Sequence, residues 1–157
     1  MKRLQEKKLK YINEGCFGEY YRINERTGIK VMREDYLYLR DLRESDQWKE
    51  CKAELEVLKK AYKLAPRSFP KPMTMAIVQR SDRSYSCGYI MSHIKGKAVE
   101  DCSLRGKDWD RLEKAELRIC KLGIEMHDSH HYNVIKSNNR FVFVDAGRLV
   151  IKKKKRR

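Results

Sequence analysis

An α+β fold is what this sequence predicts, and three features carry the expectation. Short apolar runs in the first half alternate with glycine-bearing turns, the mark of an antiparallel meander. Two later stretches repeat their apolar residues at helical spacing. No regular alternation of strand and helix runs along the chain, which argues against a doubly wound parallel sheet. With 157 residues and 41% apolar content, the chain can bury a core as one domain.

Taken in order, a strand over residues 9–12 leads to a turn over 13–18 and a second strand over 19–23. A turn over 24–28 follows, then a third strand over 29–32. Trp48, Cys51, Leu55, Leu58 and Tyr62 share one face and predict a helix from about Asp46 to Ala65, stopped by Pro66. Two strands are expected over 73–78 and 85–94, joined through Ser81, Asp82, Arg83 and Ser84. Trp109, Leu112, Ala115, Ile119 and Leu122 mark a second helix, opened by a capping box of Asp110 and Glu113 and closed by Gly123. A final strand pair over 134–135 and 141–144 turns at Ser137, Asn138 and Asn139.

The net charge is +15, and the run from Lys152 to Arg157 supplies six of the cations. Such a balance favours nucleic acid, an acidic protein or an anionic surface as partner, and it helps to hold a polyanion such as ATP. The same run reads equally well as a solvated end with no partner of its own. No apolar stretch approaches the roughly 20 residues of a membrane span. The first residues carry charge with no apolar stretch behind them, so no classical secretory signal is expected. The five cysteines are odd in number and form no C-x-x-C pair. They read as small buried hydrophobes in a reducing compartment, which makes a cytoplasmic or otherwise intracellular location the expectation.

Several residues have chemistry to offer. Gly15-Cys16-Phe17-Gly18 lies between two strands, where glycines let backbone N–H groups approach a phosphate. Lys30 lies in the next strand, on the face opposite Ile29 and Val31. A buried lysine needs a carboxylate, and the first helix offers Glu50, Glu54 and Glu56. Glu54 lies about 70° from the centre of the apolar face, against about 110° and 130° for the others, so it is the expected partner. Asp128 is followed five residues later by Asn133, and Asp145 ends the apolar run Phe141-Val142-Phe143-Val144. Two acids and an amide in this order can hold Mg²⁺ and a reacting hydroxyl.

Together these motifs resemble the protein-kinase-like family, from Gly15 to Asp145-Ala146-Gly147. The resemblance implies an antiparallel N-lobe sheet with an αC helix, over about residues 9–94, plus a much reduced helical C-lobe over about 95–151 and a basic tail over 152–157. It implies that Gly15, Phe17, Gly18 and Lys30 surround the phosphates of ATP, with Glu54 holding Lys30. It places the adenine edge on backbone groups of Ser92, His93 and Ile94. Asp128 would orient the acceptor hydroxyl, and Asn133 and Asp145 would bind Mg²⁺.

The departures are specific. Asn13 stands where the family has its first glycine, and Met126 and His127 stand for the histidine and arginine before the catalytic aspartate. His130 replaces a lysine, giving a D-x-H-x-x-N loop closer to small-molecule and atypical kinases. Ala146 replaces the phenylalanine of D-F-G, and ten residues follow Gly147. His127, His130 and His131 with Asp128 offer a competing reading as zinc ligands, but the loop lacks helical apolar periodicity and a nucleotide site accounts for more of the chain. The function expected is ATP–Mg²⁺-dependent transfer of phosphate to Ser/Thr of an acidic protein. The alternatives are a pseudokinase or basic binding module, with nucleic acid reached through the tail, and a small-molecule kinase.

Overall fold

The computed structural model describes residues 1–15, 18–127, 131–147 and 149–152, with the backbone alone at Glu14 and Gly15. In chain order the strands and helices are β1 (Lys2–Gln5), β2 (Lys10–Gly15), β3 (Gly18–Arg22), β4 (Thr27–Met32), α1 (Leu39–Glu44), α2 (Asp46–Leu64), β5 (Pro72–Gln79) and β6 (Tyr85–Ser92). There follow β7 (Lys97–Ala98), α3 (Gly106–Lys121), β8 (Ile124–Met126), β9 (Val134–Ser137), β10 (Arg140–Phe143) and β11 (Leu149–Ile151). No helix among the described residues is long and apolar enough to cross a membrane.

The chain forms two compact units. The first comprises Met1–Glu56 and Pro72–His93; the second comprises Val57–Lys71 and the chain from Ile94 onward. Residues 57–71 group with the second unit, so α2 contributes to both.

The first unit is built on a six-stranded sheet in the order β1-β5-β6-β4-β3-β2. Neighbours pair antiparallel except at one edge, where β1 runs parallel to β5 with Lys2 opposite Ala76. The sheet is therefore mixed rather than wholly antiparallel. β1 carries one apolar residue, Leu4, in Lys-Arg-Leu-Gln and so gives no strand signal of its own. One sheet face buries Tyr21, Ile29, Val31, Ala76, Val78 and Ile90, with Leu4, Leu9 and Ile23 packed against them. On the opposite face the start of α2 approaches β5 and β6. The Cys51 thiol is 3.8 Å from Met75 Sδ, and the Cys87 thiol is 3.7 Å from the Gln47 carbonyl.

An ionic cluster fastens the N-terminal segment to this sheet. Arg80, buried at the end of β5, donates to Glu6 Oε1 at 2.9 Å, Glu19 Oε2 at 2.5 Å and Asp35 Oδ1 at 2.9 Å. Its remaining bonds reach Ser86 Oγ, the Tyr21 hydroxyl and the Met32 carbonyl. Burial alone would lower the guanidinium pKa, but the carboxylates of Glu19 and Asp35 outweigh it and hold the charge more firmly than usual. A buried arginine needs this many acceptors, because one left unpaired would cost several kcal/mol.

In the second unit, β10, β9 and β7 form a three-stranded antiparallel sheet, and β8 pairs with β11. The turn between β9 and β10 is Asn138-Asn139, with Asn138 at φ 52°, a conformation asparagine tolerates better than most residues. Leu112 and Ile119 of α3 are buried, as are Ile124, Val134, Phe141 and Phe143. The Phe143 N–H donates to the Ser68 carbonyl at 2.8 Å, and the Phe69 and Phe143 rings lie 6.0 Å apart.

α3 begins three residues before its first expected apolar position, and the capping box does not form. Arg105 is the N-cap and makes no side-chain capping bond, while Asp110 and Glu113 lie inside the helix. The first turn, Gly106-Lys107-Asp108, is polar and carries no apolar periodicity to mark it. Trp109, expected on the buried face, is 44% exposed.

Candidate functional site

In the first unit, local sequence sets Lys30 in place. It lies in β4 between Tyr20 of β3 and Tyr89 of β6. Ile29 and Val31 are fully buried in the core face, so strand alternation turns Lys30 to the other face, where α2 lies. Its Nζ donates to Glu54 Oε1 at 2.6 Å, and the two side chains are 12% and 7% exposed. The helical position of Glu54 beside Leu55 and Leu58 is what brings its carboxylate to the sheet. A partly desolvated lysine held by a buried carboxylate is a fixed point charge, suited to an anionic oxygen.

The glycine turn leads up to this pair. β2 and β3 pair as far as Gly15 opposite Gly18. A Cβ on Gly18 would stand 2.5 Å from the Val31 carbonyl oxygen and 3.7 Å from Lys30 Cε. Only glycine lets β3 approach the lysine-bearing strand this closely. Phe17, with Cys16, lies outside the described residues.

A tyrosine–histidine pair was not legible in the sequence. The Tyr20 hydroxyl is 3.0 Å from His93 Nδ1, and the two rings stack at 6.0 Å. Burial pushes the Tyr20 phenol up to about 12, so it stays protonated at neutral pH. The His93 N–H donates to the Arg26 carbonyl at 2.9 Å, which engages one of the backbone groups assigned to an adenine edge. Ser92 pairs with Thr27 at the end of β6, and Ile94 opens the second unit.

In the second unit, a 3₁₀ turn over His131–Asn133 leads into β9. The Val144 N–H donates to the Asn133 carbonyl at 2.9 Å, bringing Asn133 to the residue before Asp145. The Gly147 N–H donates to Asp145 Oδ1 at 2.9 Å, closing a local turn around the carboxylate. Ala146 is buried. A carboxylate and an amide oxygen are hard donors of the kind Mg²⁺ takes, so this pair fits that ion. Asp128 lies outside the described residues, as do Ser129 and His130.

Polar groups flank the turn. His131 Nδ1 is 3.7 Å from Glu100 Oε2, and its ring lies 5.2 Å from that of Trp109. Lys136 Nζ donates to Asp108 Oδ2 at 2.7 Å and holds that carboxyl below its usual range. Among the described residues, no three His, Cys, Asp or Glu side chains gather as a metal site; Asp128 and His130 of the zinc reading lie outside them.

No family model matches the chain. It is similar to an uncharacterized protein of Acanthamoeba polyphaga mimivirus, being 28% identical over 85 residues. The match covers 54% of this chain and 11% of that much longer protein.

Proposed function

We propose that this chain is an ATP–Mg²⁺-dependent phosphotransferase that delivers phosphate to a hydroxyl, with Ser/Thr of an acidic protein as the acceptor class. The observation that carries this reading is the Lys30–Glu54 pair: a half-buried lysine beside a glycine turn, anchored by a helix glutamate at 2.6 Å. In the first unit, Lys30 would hold phosphate oxygens and Gly18 would admit them to the backbone. In the second unit, Asn133 and Asp145 would hold Mg²⁺, which neutralises charge on the transferring phosphoryl group. Asp128 would orient the acceptor hydroxyl. The net charge of +15 favours an acidic protein over a neutral one.

Incubation with γ-labelled ATP and Mg²⁺, wild type against Asp145→Ala, tests the reading. Transfer by the wild type alone supports it; no transfer by either protein, with no melting shift in ATP–Mg²⁺, overturns it. ATP–Mg²⁺ at 100 times its Kd should add about 2.7 kcal/mol of stability. A second reading, a pseudokinase, is favoured by the buried Ala146 at the phenylalanine position of D-F-G. It predicts the melting shift without transfer. Transfer to small hydroxyl compounds but not to proteins would instead point to a small-molecule kinase.

A further inference from the structure

The exposed face of α3 carries a single-sign ladder that the phosphotransferase reading does not use. Lys107, Arg111, Lys114, Arg118 and Lys121 recur at spacings of four, three, four and three, and all five are exposed. With 3.6 residues per turn they fall within about 80° of arc and extend along about 21 Å of helix. The buried residues Leu112 and Ile119 lie about 130° away on the same wheel. Of the five, Arg111 alone is paired with a carboxylate among the described residues, through a long 3.9 Å contact to Asp108.

The end of α3 is tied to the residue that follows β11. Two residues past the end of α3, Gly123 at φ 82° turns the chain, and the Lys152 N–H donates to the Gly123 carbonyl at 2.8 Å. Lys152, first of the six consecutive cations in the sequence, is thereby fixed two residues past Lys121 and its turn. The Lys152 ammonium is itself paired with Glu125, so the charge it brings to this end of the helix is largely balanced, and the five cations of α3 make up the ladder.

We infer that this face of α3 binds the phosphate backbone of double-stranded nucleic acid without regard to base sequence. A duplex presents one negative charge per about 1.7 Å of axis, so a ladder about 21 Å long meets phosphates along its whole length. Charge regularity favours this occupant over an acidic protein, whose carboxylates are irregularly placed. A lipid surface is disfavoured because helices lying on membranes bury a continuous apolar face in the bilayer, whereas Leu112 and Ile119 are inside the fold and the two exposed apolar residues of α3, Trp109 and Leu117, lie about 80° apart on the wheel. The inference is independent of phosphoryl transfer and stands whether or not the chain is an enzyme.

The test compares the full chain with two charge-matched variants by fluorescence anisotropy on labelled duplex DNA and duplex RNA, over a salt series. One variant carries Gln at Lys107, Arg111, Lys114, Arg118 and Lys121. The other carries Gln at five exposed cations of the first unit: Lys2, Lys7, Lys8, Arg26 and Arg43. Glutamine is a good helix former, so α3 should persist. Circular dichroism checks this, and the single variants Lys114→Gln and Arg118→Gln repeat the comparison should the quintuple variant unfold. We expect the α3 variant to bind at least about tenfold more weakly, with its salt slope smaller by roughly four, since each phosphate contact contributes about 0.9. The control variant should keep most of the wild-type slope. Equal losses in both variants, no binding of duplex by the wild type, or α3-dependent binding to phosphatidylserine vesicles but not to duplex would each overturn the inference.

Discussion

Lys30 and Glu54, 24 residues apart in sequence, meet at 2.6 Å between a central strand and the helix that crosses it. The pair is nearly buried on both sides, so neither charge can be removed alone without exposing the other to a poorly solvated site. Lys30→Met and Glu54→Gln should each destabilise the protein by about 3 kcal/mol. The double variant should lose less than the sum of the two, because no unpaired charge is left. Urea unfolding of the four proteins measures this, and strict additivity would show that the two groups do not act as a pair.

The proposed phosphoryl transfer would separate the roles of three residues. Lys30→Ala, Asp128→Ala and Asp145→Ala should each abolish transfer, but Asp128→Ala should keep ATP binding better than Asp145→Ala keeps Mg²⁺-dependent binding. Calorimetric titration with ATP, with and without Mg²⁺, reads the difference. Wild-type transfer by Asp128→Ala would remove that residue from the reaction.

Arg80→Ala should be among the most damaging single changes in the first unit. It leaves Glu6, Glu19 and Asp35 facing one another with no central cation. A loss of about 3–5 kcal/mol is expected, or roughly 10 °C in Tm for a chain of this size. Arg80→Lys should recover little, because one ammonium cannot reach all the acceptors of a guanidinium fork. A melting temperature unchanged by Arg80→Ala would mean that the cluster does not hold the N-terminal segment.

Glu6 links that cluster to pH. Burial pushes its carboxyl up, but bonds from Tyr21, Ser81 and Arg80 outweigh this and hold it below its ordinary value of 4.5. A depressed carboxyl contributes stability that is complete above the unfolded value and is lost as pH falls through the folded one. Wild type should therefore lose its advantage over Glu6→Gln as pH drops below about 4.5. Equal urea midpoints of the two proteins at neutral pH would count against any stabilising role for the Glu6 charge.

Gly88 faces β4 so closely that an added Cβ would stand 2.4 Å from the Lys30 carbonyl oxygen and 3.1 Å from Val31 Cα. Both contacts are backbone and cannot rotate away. Gly88→Ala should force β6 and β4 apart and cost about 1–3 kcal/mol. It should also lower nucleotide affinity, since β4 carries Lys30. A variant as stable as wild type would show that the strands can separate freely.

How much of this was readable in the sequence depends on how each element is held. α2 declared itself because its apolar residues repeat at helical spacing, and the same wheel pointed to Glu54 rather than Glu50 or Glu56. Strands β3 and β4 showed through their alternation and glycine-bearing turns, whereas β5 and β6 are near-continuous buried runs marked off by the turn residues between them. β1 was hidden because its structure comes from pairing with β5, not from its own residues. α1 was hidden because a six-residue helix that buries only Leu42 has too few positions to show a period. The carboxylate partners of Arg80 and the Tyr20–His93 contact join residues 45 to 74 positions apart, and no local pattern reports such a meeting. The cation ladder of α3 was readable in principle, but the helix start was set at the first apolar residue, which left Lys107 outside it.

The parallel edge formed by β1 and β5 also bears on how the fold is reached. β1 leaves the ribosome early, yet its backbone groups find their partners only when Ala76 to Gln79 have been made. Until then Leu4 has no sheet edge to cover, and Glu6 waits for an arginine 74 residues further on. The hairpins β2–β3–β4 and β5–β6 close over short loops and can form first. Joining β1 closes a long loop, and contacts of that kind are slow to form. Docking of β1 should therefore be a late event in refolding, with substitutions at Leu4 and Glu6 mainly speeding unfolding while leaving the early hairpins untouched.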